Sequence, residues 1–112
     1  MKKGGGAGFP GGFAEFQRQA MRIHRRMETM QEEMKARSVE AGAGGGKVTV
    51  TVSGAKEVVA VKIDPEVVKP EDLPMLQDLV VSAVNAALKK ADEMIDAETE
   101  KITGGMKIPG LM

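Results

Sequence analysis

The sequence predicts an α+β fold in which an antiparallel β-hairpin lies between two long helices, in the order α-β-β-α. Three observations lead to this prediction. Apolar residues recur at spacings of three and four from residue 13 to residue 34, apolar and polar residues alternate strictly from residue 47 to residue 53, and a broad apolar stripe runs from residue 73 to residue 95. The first and third patterns are typical of helices, and the second is typical of a half-buried strand.

The first twelve residues, MKKGGGAGFPGG, are half glycine. Such a segment buries too little surface to order itself, so residues 1–12 are predicted to form a flexible tail. The helix that follows is predicted from about Ala14 to about Val39, where a glycine-rich run ends it. Its apolar positions follow a heptad seam, for which we expect a dimer or core role: Phe16, Ile23, Met27, Met30 and Met34.

The hairpin is predicted from residues 47–53 and 57–63, which flank a short turn. In the first strand Val48, Val50 and Val52 share one face, which we expect to be buried. Asp64-Pro65 ends the second strand because proline offers no backbone donor. The pattern leaves room for one extra short strand.

The second helix is predicted to begin near residues 70–74, where Asp72 resembles a cap and Pro74 suits a first turn. It should end at Thr103-Gly104. We therefore expect a single domain over residues 13–105 and a C-terminal tail over residues 106–112. Both helices are long for so short a hairpin to cover, so a symmetric homodimer is the simplest way to close the core.

Composition narrows the classes of function. Cysteine is absent and no stretch approaches the roughly 18 apolar residues of a membrane span, so an intracellular protein with no membrane partner is expected. Three phenylalanines, with no tryptophan or tyrosine, disfavour base stacking on aromatic rings. The net charge is zero, yet residues 1–39 carry eight basic and four acidic groups, and residues 71–112 carry the reverse. One end could therefore meet phosphates.

The basic end carries arginines on one face of the first helix. Arg18, Arg22 and Arg25 fall at i, i+4 and i+7, with Arg26 beside them, and these four are the candidate contacts to DNA phosphates. The alternative is a solvated face in which Glu15 pairs with Arg18 or Arg22. Lys35 and Arg37 are weaker candidates because Glu32 and Glu33 lie close by in sequence.

Other features do not amount to a catalytic, cofactor or metal site. The glycines before Lys47 fail the phosphate-loop pattern, because Ala41 and Val48 occupy required positions. Asp92 and Asp96 share a helix face, but a solvated acidic surface explains them better than a cation site does. His24 has no second ligand or nucleophile near it in sequence. We expect no enzymatic activity, no cofactor and no small-molecule substrate.

The chain resembles the YbaB/EbfC family of nucleoid-associated proteins from about Phe13 onward. The resemblance is carried by several short segments whose order and spacing are specific together: 26–34 (RMETMQEEM), 44–50 (GGGKVTV), 61–65 (VKIDP), 76–87 and 104–110 (GGMKIPG). It implies a tweezer-like homodimer with helical arms that binds double-stranded DNA with little sequence preference, in the cytoplasm and nucleoid, affecting chromosome organisation or gene expression. The glycine-rich N-terminal tail is not part of the shared pattern.

A second interpretation of the residues is a protein–protein interaction module. In that case the methionine-rich heptad helix would hold a partner chain, since thioethers repack easily, and the neutral net charge would reflect the lack of a direct role with DNA. This interpretation predicts little salt-dependent binding to duplex DNA.

Overall fold

The computed structural model describes residues 12–104. Helix α1 spans Gly12–Lys35 and is followed by three strands, β1 (Ser38–Ala43), β2 (Val48–Ser53) and β3 (Val58–Ile63). Two 3-10 turns, Pro65–Val67 and Pro70–Asp72, lead into helix α2 (Leu73–Thr103). The predicted α+β fold with a hairpin between two long helices is confirmed, and the extra strand is β1.

The predicted end of the first helix near Val39 is wrong, because the helix stops at Lys35 and residues 38–43 form an edge strand. Val39 pairs with Val52, and Ala41 pairs with Val50, in antiparallel register. The segment after Lys35 thus gains ladder hydrogen bonds and a half-buried face, which continued helix would not provide. The glycines that follow, at positive φ, make the turn from β1 to β2.

The sheet has the order β1-β2-β3, with both pairs antiparallel. Its central strand supplies Val48, Val50 and Val52, which are fully buried as predicted. Helix α2 packs across β1 and β2, and the residues that face these valines are small and equally buried: Ala83, Ala87 and Ala91. Their small size lets the helix backbone lie close to the sheet.

A separate apolar cluster joins α1 to α2. Met27, Met30 and Met34 are buried there against half-buried side chains, which come from both helices: Ile23, Met94, Ile95 and Ile102. The β2–β3 turn lies against the end of α1, where the Gly54 backbone N–H donates to the Arg37 carbonyl at 2.9 Å. The helix that carries the candidate arginines is therefore held by α2 and by this turn.

The ends of β3 and α2 follow their sequence signals, with one exception. Asp64 caps the first 3-10 turn by accepting the Glu66 backbone N–H at 2.9 Å, and Gly104 takes the left-handed conformation that ends α2. Asp72 stands at the N-cap of α2, directly after the second 3-10 turn, but its side chain makes no capping hydrogen bond. The predicted division into a domain and two tails stays a prediction, since residues 1–11 and 105–112 lie outside the described chain.

Candidate nucleic-acid interface

The four candidate arginines lie on helix α1 and are all exposed. The buried seam of this helix, Met27, Met30 and Met34, faces α2. At 3.6 residues per turn, Arg18, Arg22 and Arg25 project on the side remote from that seam, while Arg26 flanks it. The local helix and its packing on α2 therefore hold the basic stripe toward solvent.

The four candidate arginines differ in their ionic partners. Arg18 donates to Glu15 from both Nε and Nη2, at 3.2 and 2.8 Å, and Arg22 lies 3.7 Å from the same carboxylate. Arg25 and Arg26 form no ion pair with any residue in the range 12–104. The ion-pair alternative thus applies to Arg18 and Arg22, whereas Arg25 and Arg26 remain available to bind phosphate.

Arg25 and Arg26 border a groove of about 290 Å³ between α1 and α2, on the side of Thr29 and Glu98. Glu98 accepts hydrogen bonds from Lys101 at 2.9 Å and from Arg37 at 3.3 Å. Lys101 first, and Arg37 as well, lower the pKa of Glu98 below its ordinary value. The Glu98 carboxylate is therefore engaged by other cations and does not neutralise Arg25 or Arg26.

Lys35 and Arg37, the weaker candidates, are both paired. Lys35 donates to Glu32 at 2.8 Å, and this hydrogen bond raises the pKa of Lys35 above its ordinary value. Arg37 pairs with Glu98 of α2, which is 61 residues away in sequence. Sequence spacing indicates the first pair, but the second depends on how the two helices pack.

The remaining seam residues occupy different surroundings. Ile23 is half-buried in the cluster between the helices. Phe16 is 50% exposed and stacks on Phe13, with ring centroids 6.3 Å apart. The seam is thus closed by α2 from Ile23 to Met34, and it is open to solvent near Phe16.

The acidic residues of α2 are partly engaged in the fold. Asp92 pairs with Lys56 of the β2–β3 turn, and that hydrogen bond raises the pKa of Lys56. Within residues 12–104 no group of three or more His, Asp or Glu side chains is placed to hold a metal ion. His24 is exposed and lies 3.5 Å from Glu28. In the same described range, neither helix is apolar enough over sufficient length to cross a membrane.

Comparison with known proteins adds to this geometry. Two curated relatives are named nucleoid-associated proteins. One from Acetivibrio thermocellus is 54% identical and covers 99% of each chain, and one from Clostridium acetobutylicum is 50% identical and covers 99% of this chain and all of the relative.

A solved structure shares the fold. The crystal structure of an uncharacterized protein from Helicobacter pylori matches with a TM-score of 0.71 at 24% identity, over 82% of this chain and 97% of that one. A family model described as the YbaB/EbfC DNA-binding family matches residues 10–106. The chain therefore belongs to the YbaB/EbfC DNA-binding family.

Proposed function

We propose that this protein is a nucleoid-associated, non-enzymatic homodimer that binds double-stranded DNA with little sequence preference through the arginines of α1. The observation that supports it best is the exposed pair Arg25 and Arg26, which form no ion pair within residues 12–104. Guanidinium groups bind phosphate oxygens strongly, and phosphate contacts carry no sequence information by themselves. The cellular setting proposed is the nucleoid in the cytoplasm, with chromosome organisation or gene expression as the process affected.

The orientation of α1 suits this role. Arg25 borders the groove between α1 and α2, whereas Arg18 and Arg22 lie on the side of α1 remote from α2 and its exposed carboxylates, which include Glu93 and Asp96. A duplex that approaches α1 from that side meets cations, while the acidic helix stays behind them. Zero net charge is thus compatible with phosphate binding, because screening over about 10 Å at ordinary salt makes the local surface decisive.

The competing interpretation, a partner-binding methionine stripe, loses support in this geometry. Met27, Met30 and Met34 are already buried against Met94, Ile95 and Ile102 of the same chain. A partner helix would have to displace α2 from this cluster first. The methionine stripe is therefore better explained as the internal contact between α1 and α2.

Substitution of Arg18, Arg22, Arg25 and Arg26 by alanine is expected to weaken duplex binding and to flatten its salt dependence, by about one unit of slope for each phosphate that the protein no longer binds. Fluorescence anisotropy with a labelled duplex at several potassium chloride concentrations measures both quantities. Circular dichroism should show unchanged helix content, because all four side chains are exposed.

A charge-matched comparison separates local contact from net charge. Arg25→Ala with Arg26→Ala removes two cations from α1, and Lys69→Ala with Lys89→Ala removes two exposed cations from outside α1. Only the first pair should reduce affinity strongly. Equal losses from both pairs, or none from either, would contradict the proposed role of α1.

The homodimer part of the proposal rests on β3. Helix α2 covers β1 and β2 but not this strand. The residues of β3 that pair with the buried valines of β2, namely Val58, Val61 and Ile63, continue the same sheet face and are 40–47% exposed. A second copy placed against this face would complete the core symmetrically, as an isologous interface requires.

Val61→Asp is expected to convert the dimer to a monomer at micromolar concentration, since an unpaired carboxylate in an apolar interface is costly. Light scattering coupled to gel filtration gives the mass directly. Met21→Asp, which places the same charge on an exposed apolar position of α1, should leave the mass unchanged. A Val61→Asp protein with the wild-type dimer mass would show that the interface lies elsewhere.

A further inference from the structure

Several of the methionines of this protein lie together in the apolar cluster between α1 and α2. The chain has nine methionines and no cysteine, so thioethers are the only sulfur groups it offers to an oxidant. Four of them, Met27, Met30, Met34 and Met94, lie in the apolar cluster that joins α1 to α2. Their oxidation would therefore act on the packing of the helix that carries the candidate DNA contacts.

Met30 has a distinctive position in this cluster. It lines the groove of about 290 Å³ on the side of Arg26 and Ile102, and also a second groove of about 300 Å³ bordered by Ile95 and Ala55. Met34 lines only the second of these grooves, and Met27 lines neither of them. Both grooves are open to solvent and admit molecules of the size of water. A small hydroperoxide can thus approach Met30 from either groove, although the residue is only 5% exposed, against 9% for Met27 and 3% for Met34.

We propose that Met30 is an oxidation site whose conversion to the sulfoxide loosens α1 from α2. The reaction is a two-electron oxidation by a hydroperoxide. The sulfur lone pair attacks one peroxide oxygen, the O–O bond breaks as the S–O bond forms, and the hydroxide released takes up the proton left on the sulfur-bound oxygen to give water. With hydrogen peroxide the products are methionine sulfoxide and water, so atoms and electrons balance.

The structural consequence follows from what surrounds the sulfur. The other members of the cluster are methionine and isoleucine side chains, which offer no strong hydrogen-bond donor. A sulfoxide is polar and loses stabilisation when it is held among such groups. Swinging its oxygen into either groove pulls the side chain away from α2. Both responses weaken the same packing between the two helices.

The test combines mass spectrometry with hydrogen exchange on the full chain, and it does not depend on DNA binding. Under limiting hydrogen peroxide, peptide mapping should find Met21, which is 56% exposed, oxidised first, and Met30 oxidised ahead of Met27 and Met34. Exchange of the α1 amides near Met30 should then accelerate by at least about tenfold. Treatment with methionine sulfoxide reductases should restore slow exchange.

Two variants make the outcome decisive. Met30→Leu keeps an apolar side chain of similar volume and should hold α1 in its slow-exchanging state at an oxidant dose that leaves Met27, Met34 and Met94 unoxidised, whereas Met21→Leu should not protect it. Met30→Gln, which places a polar group of similar length in the cluster, should accelerate exchange without oxidant. Oxidation of Met30 no faster than that of Met27 and Met34, or equal loosening in the Met30→Leu protein, would overturn the proposal.

Discussion

Replacement of Ala87 by leucine is expected to lower the free energy of unfolding by about 2 to 3 kcal/mol, the upper part of the usual range for overpacking a dense core. Ala87 has no exposed surface, and it packs in one cluster with Val48, Val50 and Val52, which have none either. Three added carbons can fit only if α2 moves away from the sheet, which would open the rest of this helix–sheet packing. Urea denaturation at one fixed protein concentration measures the decrease in stability.

Ala86→Leu provides the control, because the neighbouring residue makes the same chemical change on the exposed side of α2. Its expected effect is within about 0.5 kcal/mol, as for most surface substitutions. If the two variants unfolded at the same urea concentration, the close approach of α2 to the sheet would be disproved.

Gly54→Ala is expected to destabilise the fold by about 3 kcal/mol, at the upper end of overpacking effects. A Cβ at this position would lie 2.7 Å from both the carbonyl carbon and the Cβ of Met34. Because part of the obstruction is backbone, a change of rotamer cannot relieve it. The turn would have to retreat from the end of α1 and lose the hydrogen bond from Gly54 to the Arg37 carbonyl.

The matched control for this prediction is Gly45→Ala in the other turn of the sheet. A Cβ there would meet nothing within 4 Å, although its φ of +68° is unfavourable for alanine. The expected cost is therefore only about 1 kcal/mol, from the left-handed backbone alone. Thermal unfolding followed by circular dichroism should separate the two variants clearly, and a similar destabilisation in both would show that Gly54 is not constrained by its close approach to Met34.

The position of strand β1 could not be predicted from the sequence. Val39, Ala41 and Ala43 alternate with polar residues or glycine, which is compatible with a strand, but alanine and glycine give a weak signal and the preceding helical pattern is strong. Pairing with β2 settles the conformation, since Val39 lies opposite Val52 and Ala41 lies opposite Val50. A local pattern cannot supply that information, because the partner strand lies beyond the next turn.

The sequence by itself determined the two helices, the central hairpin and the buried valines, because each is encoded by a local period of apolar residues and by nearby proline or glycine. It also placed the four arginines on one exposed helix. Only the tertiary structure decided that Glu98 binds Arg37 and that the methionine seam is filled by α2. These features join residues far apart in the chain, and their geometry depends on how closely helices and sheet pack, which no local period specifies.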